Sequence, residues 1–117
     1  MKHKTNTRTL GRDYAHRLSM LRNLSRSLIQ ARQIETTHAR ALEVKKFVEK
    51  LITAAKKDDL AAKRYVFSKI GCNQESRDLF DLVKAQFTEV NGGYTSIIKY
   101  RFRKGDGAHM VILKLNV

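Results

Sequence analysis

The first 32 residues carry eight lysines and arginines (Lys2, Lys4, Arg8, Arg12, Arg17, Arg22, Arg26, Arg32) against one acid, Asp13. Charge of one sign at this density repels itself, so the stretch cannot close a compact core on its own. Two arrangements are open to it. It can remain outside a fold as an arm, or it can lend one apolar face to a core and turn its cations toward a polyanion. The residue pattern indicates both, one after the other.

Residues 1–12 (MKHKTNTRTLGR) alternate basic and small polar types around a single large aliphatic, Leu10. They lack the apolar surface that would offset the entropy of ordering, and they read as an extended basic arm. From Asp13 the periodicity becomes helical. Tyr14, Leu18, Leu21, Leu24 and Leu28 fall on one face, at spacings of four, three, three and four. Arg12, His16, Asn23 and Arg26 project from the opposite face, with Arg22 on the flank. Arg17 sits at the apolar edge, where its stem can pack while its head reaches outward. This helix is expected to grip the core on one side and a polyanion on the other.

The remaining segments supply that core. Residues 32–37 (RQIETT) read as a short strand, with Thr37 as cap of the next helix. That helix runs from His38 to Lys57 with Leu42, Phe47, Val48, Leu51, Ile52 and Ala55 as its apolar stripe. Asp58 and Asp59 break it and cap a third helix over 60–70, ended by Gly71. A fourth helix is expected over 74–87. Asn91-Gly92-Gly93 marks a turn, and 94–102 and 108–116 form a hairpin across the Gly-rich loop 103–107. In the first of these strands Tyr94, Ile98, Tyr100 and Phe102 share a face. In the second His109, Val111, Leu113 and Leu115 do. The fold class is α+β: helix, short strand, three helices and a C-terminal β-hairpin, with a small sheet packed on helices and a basic N-terminal arm.

At 117 residues and 42% hydrophobic content, one domain over 13–117 can bury a modest core. No stretch approaches the ~18 consecutive apolar residues of a membrane span. No apolar run comes after the first basic residues, which argues against a secretory signal. The lone Cys72 cannot form an internal disulfide, in keeping with a reducing cytoplasm.

Catalysis finds little footing. His3, His16, His38 and His109 are scattered without metal-ligand spacing, and Cys72 has no neighbour in sequence that would activate it. No phosphate loop of the Walker type and no dinucleotide fingerprint is present, so no cofactor and no small-molecule substrate are expected. Nucleic-acid binding is better supported, because the arm of Lys2, His3, Lys4, Arg8 and Arg12 leads straight into the helix face of Arg22 and Arg26. A strand separates the first two helices, which excludes a helix-turn-helix. Zinc fingers, basic zippers and the aromatic platform of RNA-recognition motifs are also missing. Irregular basic arms suit structured RNA, read by shape and backbone charge. Tyr14, Tyr65, Tyr94 and Tyr100 each fall in an amphipathic pattern, which assigns most of them to core or rim packing rather than to base stacking.

The run MKHKTNTRTLGRDYAHRLSMLRNLSRSLIQ, then IETT, LITAAKK and GGYTSIIKYRFRKGDGAHM, resembles the seventeenth protein of the bacterial large ribosomal subunit. Two pieces are most specific. One is the opening constellation of His3, Arg8, Leu10, Arg12, His16-Arg17, Met20, Arg22-Asn23 and Ser27-Leu28. The other is Gly92-Gly93-Tyr94-Thr95 with Asp106 beyond it. The resemblance spans nearly the whole chain in the same order.

It implies a structural, non-catalytic protein of the large subunit in the cytoplasm, bound to large-subunit rRNA on the solvent side near the polypeptide exit region. It also implies neighbouring large-subunit proteins, a small zinc-ribbon or basic protein among them. Carried over to this sequence, the RNA-facing positions are Lys2, His3, Arg8, Arg12, His16, Arg17, Arg22 and Asn23. Lys4 and Arg26 join them on charge. Thr36, Thr37 and Arg40 come next, at the strand-to-helix junction, where hydroxyls and a helix N-terminus hold phosphate. Gly93, Tyr94 and Thr95 complete the set. The chain departs from the family pattern at Thr7, where a Gly is usual, and at His38-Ala39-Arg40-Ala41-Leu42, where Pro and two Lys flanking Ala are usual. It also lacks the usual acid near Lys114 and Asn116. The competing assignment is a free-standing RNA- or DNA-binding chaperone or regulator using the same charge without a fixed site.

Overall fold

The computed structural model describes residues 10, 11, 13–71 and 73–117. Its elements are α1 (Tyr14–Ala31), β1 (Gln33–Thr37), α2 (His38–Ala55), α3 (Leu60–Ile70), α4 (Asn73–Leu82), β2 (Thr95–Phe102) and β3 (His109–Leu115), with a π-helical turn, Val83–Phe87, extending α4. The three strands form one antiparallel sheet in the order β1-β3-β2. The α+β architecture is therefore as expected, with the hairpin partner β3 in the centre and β1 on its far side.

Each helix begins and ends where local chemistry dictates. Asp13 accepts from the His16 backbone N–H at 2.8 Å and Asp59 from that of Ala62 at 2.7 Å, so both carboxylates cap first-turn amides at positive helix ends. Gly71 stops α3 in the left-handed region at φ 74°, and its N–H donates to Phe67 O. Arg32 ends α1 in the same conformation at φ 71°, unusual for a residue with a Cβ. Three bonds hold it there. Its N–H donates to Leu28 O, its Nη1 to Ile29 O, and its own carbonyl accepts from Leu115 N–H. Thr37 occupies the cap position of α2 as expected, but its hydroxyl makes no capping hydrogen bond.

The core lies between the helices and one face of the sheet. Leu28 and Ile29 of α1, Val44, Val48, Leu51 and Ile52 of α2, Val66 and Ile70 of α3, and Leu79 of α4 meet Val111, Leu113 and Leu115. Phe87, on the π-helical turn, packs edge-on against Tyr94 at 5.2 Å. No helix among the described residues is long and apolar enough to cross a membrane.

Two expected faces are corrected. Tyr14 begins α1 but is 70% exposed, because the first turn projects beyond the core, which is reached only from Leu21 onward. In β2, Ile97 pairs with Leu113 and Thr95 with Leu115, so these residues look inward. Ile98 therefore takes the outer face, since a one-residue step reverses every side chain in a strand. The register shifts between Lys99 and Arg101, which leaves Tyr100 as the extra residue of a bulge. Ile98, Tyr100 and Phe102, taken from alternation as a shared packing face, are all exposed.

Candidate nucleic-acid interface

Lys2, His3, Lys4, Arg8 and Arg12 lie outside the described residues, as does the arm 1–12 apart from Leu10 and Gly11. The described basic surface begins with α1. Asp13, the sole acid of the leading quarter, caps α1 by accepting from the His16 backbone N–H. His16 and Asn23 are exposed on α1, and Arg17 is half-buried with its guanidinium 5.7 Å from the Tyr14 ring centre. These three side chains can meet a polyanion without rearrangement of the core.

Arg22 and Arg26 stand differently from expectation. Spacing put Arg26 on the face away from the core and Arg22 on the flank, both turned to a partner. In the fold that side of α1 meets the carboxyl end of α3. Arg22 donates from Nε to Lys69 O at 2.9 Å and from Nη2 to Ser68 O at 3.0 Å. Arg26 donates from Nε and Nη2 to Ile70 O at 3.0 and 2.6 Å. The last carbonyls of a helix lack partners within the helix and carry partial negative charge, which a guanidinium fork satisfies. The two arginines thus fasten α1 to α3. A Cβ on Gly71 would come within 3.1 Å of the Arg26 fork, so the residue that ends α3 also leaves room for its cap.

At the β1–α2 junction, Thr36 is buried and faces inward opposite Val111, while Thr37 and Arg40 are half-buried. The Thr37 hydroxyl, unused in capping, stands at the amino end of α2. His38 opens that helix, and its ring stacks on His109 at 5.3 Å with 20° between planes. The third candidate cluster lies only partly at the surface. Gly93 is exposed, but Tyr94 and Thr95 are buried: Tyr94 packs on Phe87, and the Thr95 hydroxyl donates to Glu49 Oε1 at 2.8 Å. Asn116 closes this turn by donating from Nδ2 to Gly93 O at 2.7 Å and from its backbone N–H to Tyr94 O. The Gly-Gly-Tyr-Thr run is a structural latch between α2, β2 and the residue after β3.

Sequence reasoning missed a different cluster. The first strand of the hairpin and its loop carry Lys99, Arg101, Arg103 and Lys104 with one acid, Asp106. Arg103 grips Asp106 through two hydrogen bonds, at 3.1 and 2.6 Å. That contact, with a further bond from the Ala108 N–H, holds the Asp106 carboxyl down to about 2. Arg101 pairs with Glu35 at 2.8 Å. A count of basic residues along the hairpin would have signalled this surface.

The described residues hold no group of three or more His, Cys, Asp or Glu placed to bind a metal. The chain matches the family model for ribosomal protein L17 over residues 20–116. It is 47% identical to the large ribosomal subunit protein bL17 of Nautilia profundicola, over 97% of both chains. It is 44% identical to bL17 of Fusobacterium nucleatum over 98% of this chain and 99% of that one. With bL17 of Desulforamulus reducens the figure is 48%, over 92% and 96%. These relatives match nearly end to end, and the chain belongs to the ribosomal protein L17 family.

Proposed function

We propose that this protein is a structural, non-catalytic component of the large ribosomal subunit in the cytoplasm and binds large-subunit rRNA. The RNA-facing residues are the arm cations Lys2, Lys4, Arg8 and Arg12 with His3, then His16, Arg17 and Asn23 on α1, and Thr37 and Arg40 at the junction. Arg22 and Arg26 act behind them by holding α1 on α3. Thr36, Tyr94 and Thr95 serve the fold under these contacts, and Gly93 supplies the turn. The observation that carries this reading is the charge of the leading segment, eight lysines and arginines against one acid, Asp13, whose carboxylate caps α1. Neighbouring large-subunit proteins, a small zinc-ribbon or basic protein among them, would complete the surroundings.

Salt dependence tests it. Six cations (Lys2, Lys4, Arg8, Arg12, Arg17, Arg40) would each neutralise one phosphate, giving a log–log slope of affinity against salt of about −4 to −5. Filter binding of the purified chain to protein-free large-subunit rRNA measures this slope. A slope near zero, or equal affinity for any RNA of the same length, removes the specific rRNA role and favours a general nucleic-acid chaperone.

A further inference from the structure

We propose that the ring stack His38–His109–Phe102 is a platform for one unpaired ribonucleotide base, which stacks on the outer face of Phe102. This rests on the rRNA-binding reading above and adds to it a contact that is not ionic.

The stack is built from three separate elements. His38 is the first residue of α2, His109 opens β3, and Phe102 ends β2. His109 stacks with each of the other two, 5.3 Å from His38 and 5.4 Å from Phe102, with interplanar angles of 20° and 28°. Strand pairing of Phe102 with His109 sets the outer step, and the helix start sets the inner one. Near-parallel rings at these spacings form a preorganised column. Its inner end is fixed to the body, while its outer ring is 72% exposed. An isolated exposed Phe requires no explanation, but an oriented aromatic surface that is already stacked loses little freedom when a further ring is added.

The surroundings select the occupant. Lys99, Arg101, Arg103 and Lys104 lie within three residues of Phe102 in the sequence, and Asp106 is the one acid between Thr95 and Leu115. The pairs Arg101–Glu35 and Arg103–Asp106 are exposed, so solvent weakens them and a phosphate can share either guanidinium. An apolar protein surface laid over Phe102 would have to desolvate these cations. A splayed-out nucleotide brings a planar base for the ring and a phosphate for the rim together. Tyr100, exposed on the same strand with the Arg101 guanidinium 5.7 Å from its ring centre, is a second exposed planar surface of the hairpin.

The experiment compares the full chain with F102L and F102W for binding to protein-free large-subunit rRNA at two salt concentrations, and for incorporation into large subunits. Stacking predicts that F102L loses about 5- to 150-fold in affinity at both concentrations with the salt slope unchanged, while F102W stays near wild type. Unchanged melting temperatures are expected, because the Phe102 ring is largely in solvent. F102L binding rRNA within twofold of wild type overturns the platform and leaves the salt-dependent arm contact standing. Normal rRNA binding with poor incorporation overturns it in favour of a protein neighbour on Phe102. A wild-type slope near zero ends both the platform and the functional reading beneath it.

Discussion

Replacing Arg26 by Ala removes a charged fork that donates twice to Ile70 O, and the consequence is one of stability before it is one of RNA binding. The Ile70 residue is fully buried, so its carbonyl has little water to turn to when the guanidinium is gone. Hydrogen bonds to charged donors are worth about 1.5–3 kcal/mol, and a buried acceptor left without one costs a similar amount, which places Arg26→Ala near 2–3 kcal/mol. For a domain of this size that corresponds to a fall in melting temperature of roughly 8–20 °C. Circular dichroism melts of the RNA-free chain read it directly. Arg26→Lys, with a single ammonium in place of the fork, should recover part of the loss. Arg17→Ala, whose guanidinium makes a ring contact and no hydrogen bond among the described residues, should change stability by less than about 0.5 kcal/mol. An Arg26→Ala protein melting within about 2 °C of wild type would refute the argument, and the arginine would return to the set of free RNA contacts. The result governs how charge-reversal data are read: a glutamate at this position would repel the α3 carbonyls, so failed assembly would reflect a loosened fold.

Two further measurements probe the ends of elements. Asp59→Ala removes the carboxylate that accepts from Ala62 N–H and should cost about 1 kcal/mol in urea unfolding, with no change in rRNA affinity at a temperature where both proteins are folded. The Asp106 carboxyl titrates near 2 and not near the ordinary 3.8, chiefly because Arg103 donates to it. Since the folded value is the lower one, the contact is intact above about pH 4 and is lost as the pH falls toward 2. The Asp106 carboxyl resonance and the Ala108 amide shift should move together in that window, and a midpoint near 3.8 would show that the fork does not persist in solution.

Where sequence and fold agree, the deciding signal is local. The third helix was legible residue for residue because Asp59 and Gly71 bracket it, one capping amides and the other taking a left-handed conformation that other residues avoid. The strand before α2 was legible from its β-branched end, and the buried run Val111, Leu113, Leu115 from its period of two. The fourth helix was expected to continue to residue 87, but its last turn widens into a π-helix that seats both Val83 and Phe87 in the core. Periodicity does not encode which flank of α1 another helix will cover, so Arg22 and Arg26 looked free when α3 claims them. Nor does alternation reveal that Tyr100 is an inserted bulge residue, or that Thr95 and Ile97 own the inner face of β2. The candidate site divides in the same way: His16, Arg17 and Asn23 are reachable from solvent, whereas Tyr94 and Thr95 were carried over with a motif whose work in the fold is internal.

The strand order β1-β3-β2 has a consequence for vectorial synthesis. Both outer strands leave the ribosome before the one that joins them, so β1 stays an open edge while some seventy residues, from His38 to Ala108, are added. Until His109–Leu115 arrives, α1 and α2 have no floor to settle on, and the Arg32 carbonyl waits for the Leu115 amide. A nascent chain arrested before His109 should therefore be open to proteases along β1, and the closing of that gap would mark the moment when the body becomes rigid enough to carry its cationic arm into place.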